Sequence, residues 1–172
     1  MLLGMSLRAF TILHVVISLI GIISGIVTVG NWVRGRNSSA WTSTFLITTI
    51  LTSVTGFMFP FEKVTPAIIL GCISLAVLAV AMVASAAGHL HGAWRSLYVA
   101  SCVAALYFNC FVLVVQSFMK IPALHALAPT GKEPPFAVAQ GVVLLAFAAL
   151  GWKANKGFRP GAPATASAAK GR

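Results

Sequence analysis

The chain has 172 residues, of which 59% are hydrophobic and 8% are charged. Soluble domains carry about 25% charged residues, and a chain of this length cannot bury so much apolar surface within itself. The composition therefore excludes an ordinary soluble domain and predicts that lipid is the main solvent. The net charge of +10 does not indicate a nucleic-acid partner, because nearly all the basic residues fall between or beyond the apolar runs.

Five apolar segments are long enough to cross a hydrocarbon core, which needs about 20 helical residues. In chain order they are 9–32, 41–61, 66–88, 97–119 and 136–152. They predict an all-α integral membrane helical bundle with about five transmembrane helices, occupying residues 1–156. Residues 157–172 are rich in Ala and Pro and show no apolar periodicity, so they are predicted to form a disordered cytoplasmic tail.

Basic residues and tryptophans predict the orientation of this bundle. With a cytoplasmic carboxyl terminus, the inner side collects eight of the 12 Lys and Arg residues and leaves Arg8, Lys63, Lys120 and Lys132 outside. Indole rings prefer the headgroup level, and the five-helix topology places all four tryptophans on the inner side. We therefore expect a periplasmic amino terminus and a cytoplasmic carboxyl terminus.

Polar residues inside the apolar segments predict a ligand-binding site near the outer surface. His14, Gln116 and Gln140 each lie about one turn in from that surface, and Asn109 must face other helices because an unsatisfied amide is costly in lipid. Glu133 lies in an outer loop, as do Glu62 and His125. The predicted ligand-binding residues are His14, Gln116, Gln140, Glu133 and Asn109.

Such a group of side chains suits a polar headgroup, a quinone carbonyl or a metal. The alternative is structural, with His14 hydrogen-bonded to a neighbouring helix. A second cluster, His89 and His91, points in opposite directions on a helix and favours anchoring at the interface. No metal-binding residues and no cofactor are predicted.

Two stripes of small or hydroxylated residues predict helix packing. Gly21 and Gly25 form a G-x-x-x-G pattern that allows another helix to approach closely, either within the bundle or in a dimer. In the second segment, threonines share one face, where they either pack or line a hydrated path. They are Thr44, Thr48, Thr52 and Thr55.

The sequence carries no catalytic motif such as H-E-x-x-H or G-x-S-x-G, and its two acidic residues cannot support paired-carboxylate chemistry. We therefore favour a non-enzymatic membrane protein that binds a small molecule, a lipid or a partner subunit. One alternative is a redox protein with haem or quinone at His14. The other is an oligomeric transporter or channel lined by the threonine face and Asn109.

Several segments resemble a widespread group of small bacterial inner-membrane proteins that has no assigned activity. The segments are Thr52–Phe61 (TSVTGFMFPF), Ala93–Val99 (AWRSLYV), Leu106–Gln116 (LYFNCFVLVVQ), Ala128–Thr130 (APT) and Glu133–Phe136 (EPPF). The resemblance implies a bacterial inner membrane and a multi-pass topology, and it implies no particular reaction. Independently of the resemblance, the expected partners of the chain are the lipid bilayer, a small-molecule or lipid ligand, and either further copies of the chain or a larger membrane complex.

Overall fold

The computed structural model describes residues 4–60, 66–87 and 89–161, and it confirms the all-α prediction. The helices are α1 (Leu7–Val33), α2 (Ser39–Phe57), α3 (Pro66–Ala86), α4 (Gly92–Lys120), α5 (Pro122–Leu127) and α6 (Pro134–Gly157). Glu62 and the tail beyond residue 161 lie outside the described residues.

The helix ends follow local capping chemistry. Ser6 begins α1, with its Oγ accepting a hydrogen bond of 3.2 Å from the amide of Ala9. Both α5 and α6 begin with proline, whose fixed φ and missing N–H suit the first helical turn. The sequence analysis assigned no helix to the loop between the last two predicted segments, and α5 is a six-residue helix within it.

Helices α1 and α2 pack antiparallel along their whole length. The contacting pairs run from His14 with Thr55 at one end to Gly25 with Phe45 deeper in the bundle. A Cβ atom at Gly25 would lie 2.6 Å from Leu106 Cδ1 and 2.8 Å from Phe45 Cδ2. The G-x-x-x-G stripe therefore serves packing inside this chain, where it brings α1 close to both α2 and α4.

Helix α4 lies at the centre of the bundle. It pairs antiparallel with α6, since Phe118 contacts Phe136 at one end and Tyr107 contacts Phe147 further along. It runs parallel to α2, because Asn109 bonds to Thr49 while Leu106 lies one turn earlier beside Gly25 and Phe45. Helix α3 completes the bundle by packing against α2 and α4.

An aromatic cluster closes one end of the bundle, which we call the tryptophan end. Here the ring of Trp32 contacts those of Tyr98 and Phe158, at centroid distances of 5.7 and 4.8 Å. All four tryptophans lie toward this end, although Trp32 is fully buried rather than placed among headgroups. Phe158, which the sequence prediction assigned to the tail, is 2% exposed, so the folded part extends past the predicted boundary at residue 157.

Among the described residues, four helices are long and apolar enough to cross a membrane: α1, residues Ala67–Ala86 of α3, α4 and α6. Helix α2 is not one of them, because its threonines and serines lower its hydropathy. Large apolar side chains such as Leu145 and Val138 are 71% and 63% exposed. The bundle therefore has the surface of an integral membrane protein, with lipid as the solvent for its outer faces.

Candidate functional site

His14 is held in the seam between α1 and α2, near the end opposite the tryptophans. Its Nδ1 lies 2.8 Å from Oγ1 of Thr55, and its side chain is half-buried. His14 therefore forms the hydrogen bond to a neighbouring helix that the structural interpretation predicts.

The hydrogen bond of the Thr55 hydroxyl is coupled to the position of the proton on His14. Oγ1 of Thr55 lies 2.7 Å from the carbonyl of Leu51, to which only the threonine hydroxyl can donate. That hydroxyl has one hydrogen, so when it donates to Leu51, Nδ1 of His14 is the donor in the His14–Thr55 bond. Nε2 of the neutral imidazole then carries a lone pair, and it has no hydrogen-bond partner among the described residues.

One phenylalanine packs against the imidazole, and a second packs against that phenylalanine. The ring of Phe59 meets that of His14 edge-on at 5.2 Å, and Phe10 lies 5.0 Å from Phe59. On the α2 side, a Cβ at Gly56 would lie 3.8 Å from Cε1 of His14, so the helix backbone is close to the ring. Among the described residues, the side chains that contact the ring are those of Thr55 and Phe59, and only Thr55 is polar.

The helix pairings give the relative depths of the predicted site residues. Thr55 lies about 9 Å beyond Thr49 along α2, which corresponds to six residues, and Thr49 is level with Asn109 of the parallel helix α4. Gln116 is therefore at about the level of His14. Gln140 Nε2 donates to the carbonyl of Phe111 at 3.2 Å, which places it roughly one turn deeper.

The five predicted residues lie in different seams of the bundle. His14 belongs to the α1–α2 seam, Gln140 to the α4–α6 seam, and Gln116 is exposed. No hydrogen bond or ring contact within the described ranges joins His14 to Gln116, Gln140 or Glu133. A shared pocket stays a prediction, whereas the placement of His14 in the α1–α2 seam is an observation.

Asn109 faces the bundle, as predicted. Its Nδ2 donates to Oγ1 of Thr49 at 3.3 Å, and Thr49 is fully buried. This bond crosses from α4 to α2 and satisfies an amide that would otherwise be costly in lipid. Asn109 therefore has a clear packing role.

Glu133 closes its own turn before α6. Oε1 accepts from the amide and the hydroxyl of Thr130, at 3.1 and 2.8 Å, and Oε2 accepts from the amide of Lys132 at 3.0 Å. Desolvation raises the pKa of this carboxyl, but the hydrogen bonds outweigh that effect and lower the pKa to about 2. The carboxylate is ionised at neutral pH and engaged with its own loop.

The comparisons with known proteins identify no relative. No family model, no curated protein and no solved structure matches this chain. The site must therefore be interpreted from its own geometry.

The geometry also concerns the two alternative functions, a redox protein with haem or quinone at His14 and a transporter or channel lined by the threonine face. In the part of the chain that the structure describes, no three His, Cys, Asp or Glu residues cluster to hold a metal, and His14 contacts no second histidine. On the threonine face, Thr44, Thr48 and Thr55 donate to carbonyls of their own helix at 2.6–2.9 Å. These bonds agree with the packing interpretation of that face.

Sequence reasoning identified His14 but not the residues that shape its surroundings. Thr55 was assigned to a face that either packs or lines a hydrated path, and Phe10 and Phe59 were not singled out. The 3.6-residue period does place Phe10 one turn before His14 on α1. The register between α1 and α2, which brings Thr55 and Phe59 to the ring, depends on the close approach at Gly25 and is not visible in a single helix.

Proposed function

We propose that this chain is a non-enzymatic, multi-pass protein of a bacterial inner membrane that binds a lipid-phase molecule at His14. The observation that carries the proposal is the imidazole that Thr55 holds beside Phe59, with an Nε2 that has no hydrogen-bond partner in the described part of the chain. A free acceptor in lipid favours a ligand that brings a hydrogen-bond donor, because an unpaired polar group there is costly. Ammonium headgroups and hydroxyl groups supply such donors, whereas a trimethylated ammonium does not.

The proposed topology has five crossings, with the amino terminus in the periplasm and the carboxyl terminus in the cytoplasm. It is supported by α2, which runs antiparallel to α1 along its length and so covers the same depth despite its lower hydropathy. The distribution of Lys and Arg supports the direction. A cysteine added at each terminus in turn tests it, since a membrane-impermeant maleimide should label only the amino-terminal one in intact cells. Equal labelling of both would contradict the topology.

The ligand proposal can be tested with two lipids that differ in donor capacity. Native mass spectrometry of the purified protein should show stronger retention of phosphatidylethanolamine than of phosphatidylcholine, whose headgroup has no N–H. His14→Phe should abolish that difference while keeping an aromatic ring in the seam. His125→Phe is the matched control, because His125 is exposed in α5 and should leave the difference unchanged.

A hydroxyl ligand would give a different result in the same assay. A short-chain ubiquinol should then bind better than its oxidised quinone, again only when His14 is present. Equal retention of every probe by wild-type protein and His14→Phe would refute ligand binding at this histidine. In that case the His14–Thr55 bond would serve packing alone.

A further inference from the structure

A long groove runs between α4 and α6 toward the tryptophan end, remote from His14. It has a volume of about 450 Å³ and is lined by small side chains, with aromatic rings near its two ends. The small residues are Ala100, Ala104, Ala148 and Gly151, and the rings belong to Tyr107, Phe147 and Trp152.

The length of the groove matches one leaflet of a bilayer. Along α6 it extends from Leu144 to Asn155, which is about 16 Å of helix. Half of a hydrocarbon core is about 15 Å thick. The groove therefore has the length of one acyl chain that lies parallel to the helices.

The end of the groove toward the tryptophan end of the bundle carries an unpartnered amide oxygen. Asn155 lines the groove, and its Oδ1 is buried without a hydrogen-bond partner. A buried amide oxygen without a partner is costly, so the site lacks a group that would donate a hydrogen bond at this position.

Positive charge surrounds the same end. The ammonium of Lys156 lies 3.7 Å from the centroid of the Trp152 ring, and Lys153 and Arg159 are exposed nearby. Arg95 at the start of α4 donates to the carbonyl of Phe158 at 2.8 Å. Glu133, the one acidic residue in the described ranges, begins α6 at the opposite end. An anion bound here would meet cations without a competing carboxylate.

We propose that this groove binds an anionic phospholipid of the bilayer. One acyl chain lies on the small residues of α4 and α6, the phosphate is attracted to Lys156 and its basic neighbours, and a headgroup hydroxyl donates to Asn155. The charge near Asn155 selects the lipid class, because basic residues at the membrane surface attract anionic headgroups. This site is separate from His14 and does not depend on the function proposed there.

The test uses tryptophan fluorescence, since Trp152 lines the groove. The purified protein is reconstituted in phosphatidylcholine, and chain-brominated phosphatidylglycerol or chain-brominated phosphatidylcholine is added as the quencher. Wild-type protein should be quenched at lower concentrations of the anionic lipid. Equal quenching by both lipids would overturn the proposal.

Two neighbouring alanines on α6 provide matched variants. Ala148 lines the groove, whereas Ala149 is exposed on another side of the helix. Ala148→Leu should fill the groove and remove the preference for phosphatidylglycerol, and Ala149→Leu should keep it. Equal behaviour of the two variants would show that the groove is not the binding site.

A second pair of variants separates a defined site from general surface charge. Lys156→Gln should weaken phosphatidylglycerol binding by about five-fold, the effect expected for one basic residue near anionic lipid. Lys132→Gln, which removes the same charge at the opposite end, should have no effect. Equal losses would assign the preference to net charge and overturn the proposal. The proposal would also be overturned if Ala148→Leu converted a dimer to a monomer without changing lipid binding. In that case a second copy of the chain, and not a lipid, would occupy the groove.

Discussion

Arg95 donates a hydrogen bond of 2.8 Å from Nη1 to the carbonyl of Phe158, just past the end of α6. This bond joins residues 63 positions apart in sequence and holds the chain after α6 over the start of α4. The ring of Phe158 then packs between Trp32 and Tyr98. One buried aromatic residue thus connects the ends of three helices.

Removing that ring should loosen the tryptophan end. Phe158→Ala is expected to destabilise the protein by roughly 3 kcal/mol, the lower part of the range for such changes in protein cores. Thermal unfolding in detergent, followed by size-exclusion chromatography, measures the effect. Leu145→Ala is the control, because Leu145 is 71% exposed and its loss should change little. Equal melting temperatures for both variants would contradict a core role for Phe158.

The close approach of α1 to α2 and α4 depends on the missing side chain at Gly25. Gly25→Ala should destabilise the bundle by about 1–3 kcal/mol, the usual cost of overpacking, because Phe45 and Leu106 are both buried against that position. Gly30→Ala is the control. A Cβ at Gly30 would meet no neighbouring atom within 4 Å, so this change should be neutral or slightly stabilising. Thermal unfolding of the two variants gives the comparison. If Gly25→Ala left the melting temperature unchanged, the helices could move apart at this position without a loss of stability.

The bond between Asn109 and Thr49 predicts coupling between α4 and α2. In a double-mutant cycle with Asn109→Leu and Thr49→Val, the coupling energy should be about 0.6 kcal/mol, the average for hydrogen bonds measured inside membrane proteins. Unfolding in a denaturing detergent provides the four free energies. Strictly additive effects would indicate that the two side chains do not interact in the membrane.

The sequence predicted the helices well because apolar length and helix-breaking prolines are local signals. It also predicted that Asn109 faces inward, since the cost of an unpaired amide does not depend on the partner. Phe158 was missed because a single aromatic residue beside Lys156 and Arg159 has no periodicity, and its burial depends on Trp32 and Tyr98. The environment of His14 was equally inaccessible, because it requires the register between two helices that Gly25 brings together.

The turn at Glu133 predicts a strongly acidic carboxyl group. Its pKa is lowered from 4.5 to about 2, so its contribution to the stability of the turn should be complete above about pH 4.5. That contribution should be lost as the pH falls through the folded pKa near 2. The sequence contains only two acidic residues, so ¹³C-labelled glutamate gives two carboxyl signals, and Glu133→Gln identifies the relevant one. Thr130→Val should raise the pH midpoint of the Glu133 titration, because it removes the hydroxyl donor. A midpoint near pH 4.5 in the wild-type protein would contradict the hydrogen-bonded turn.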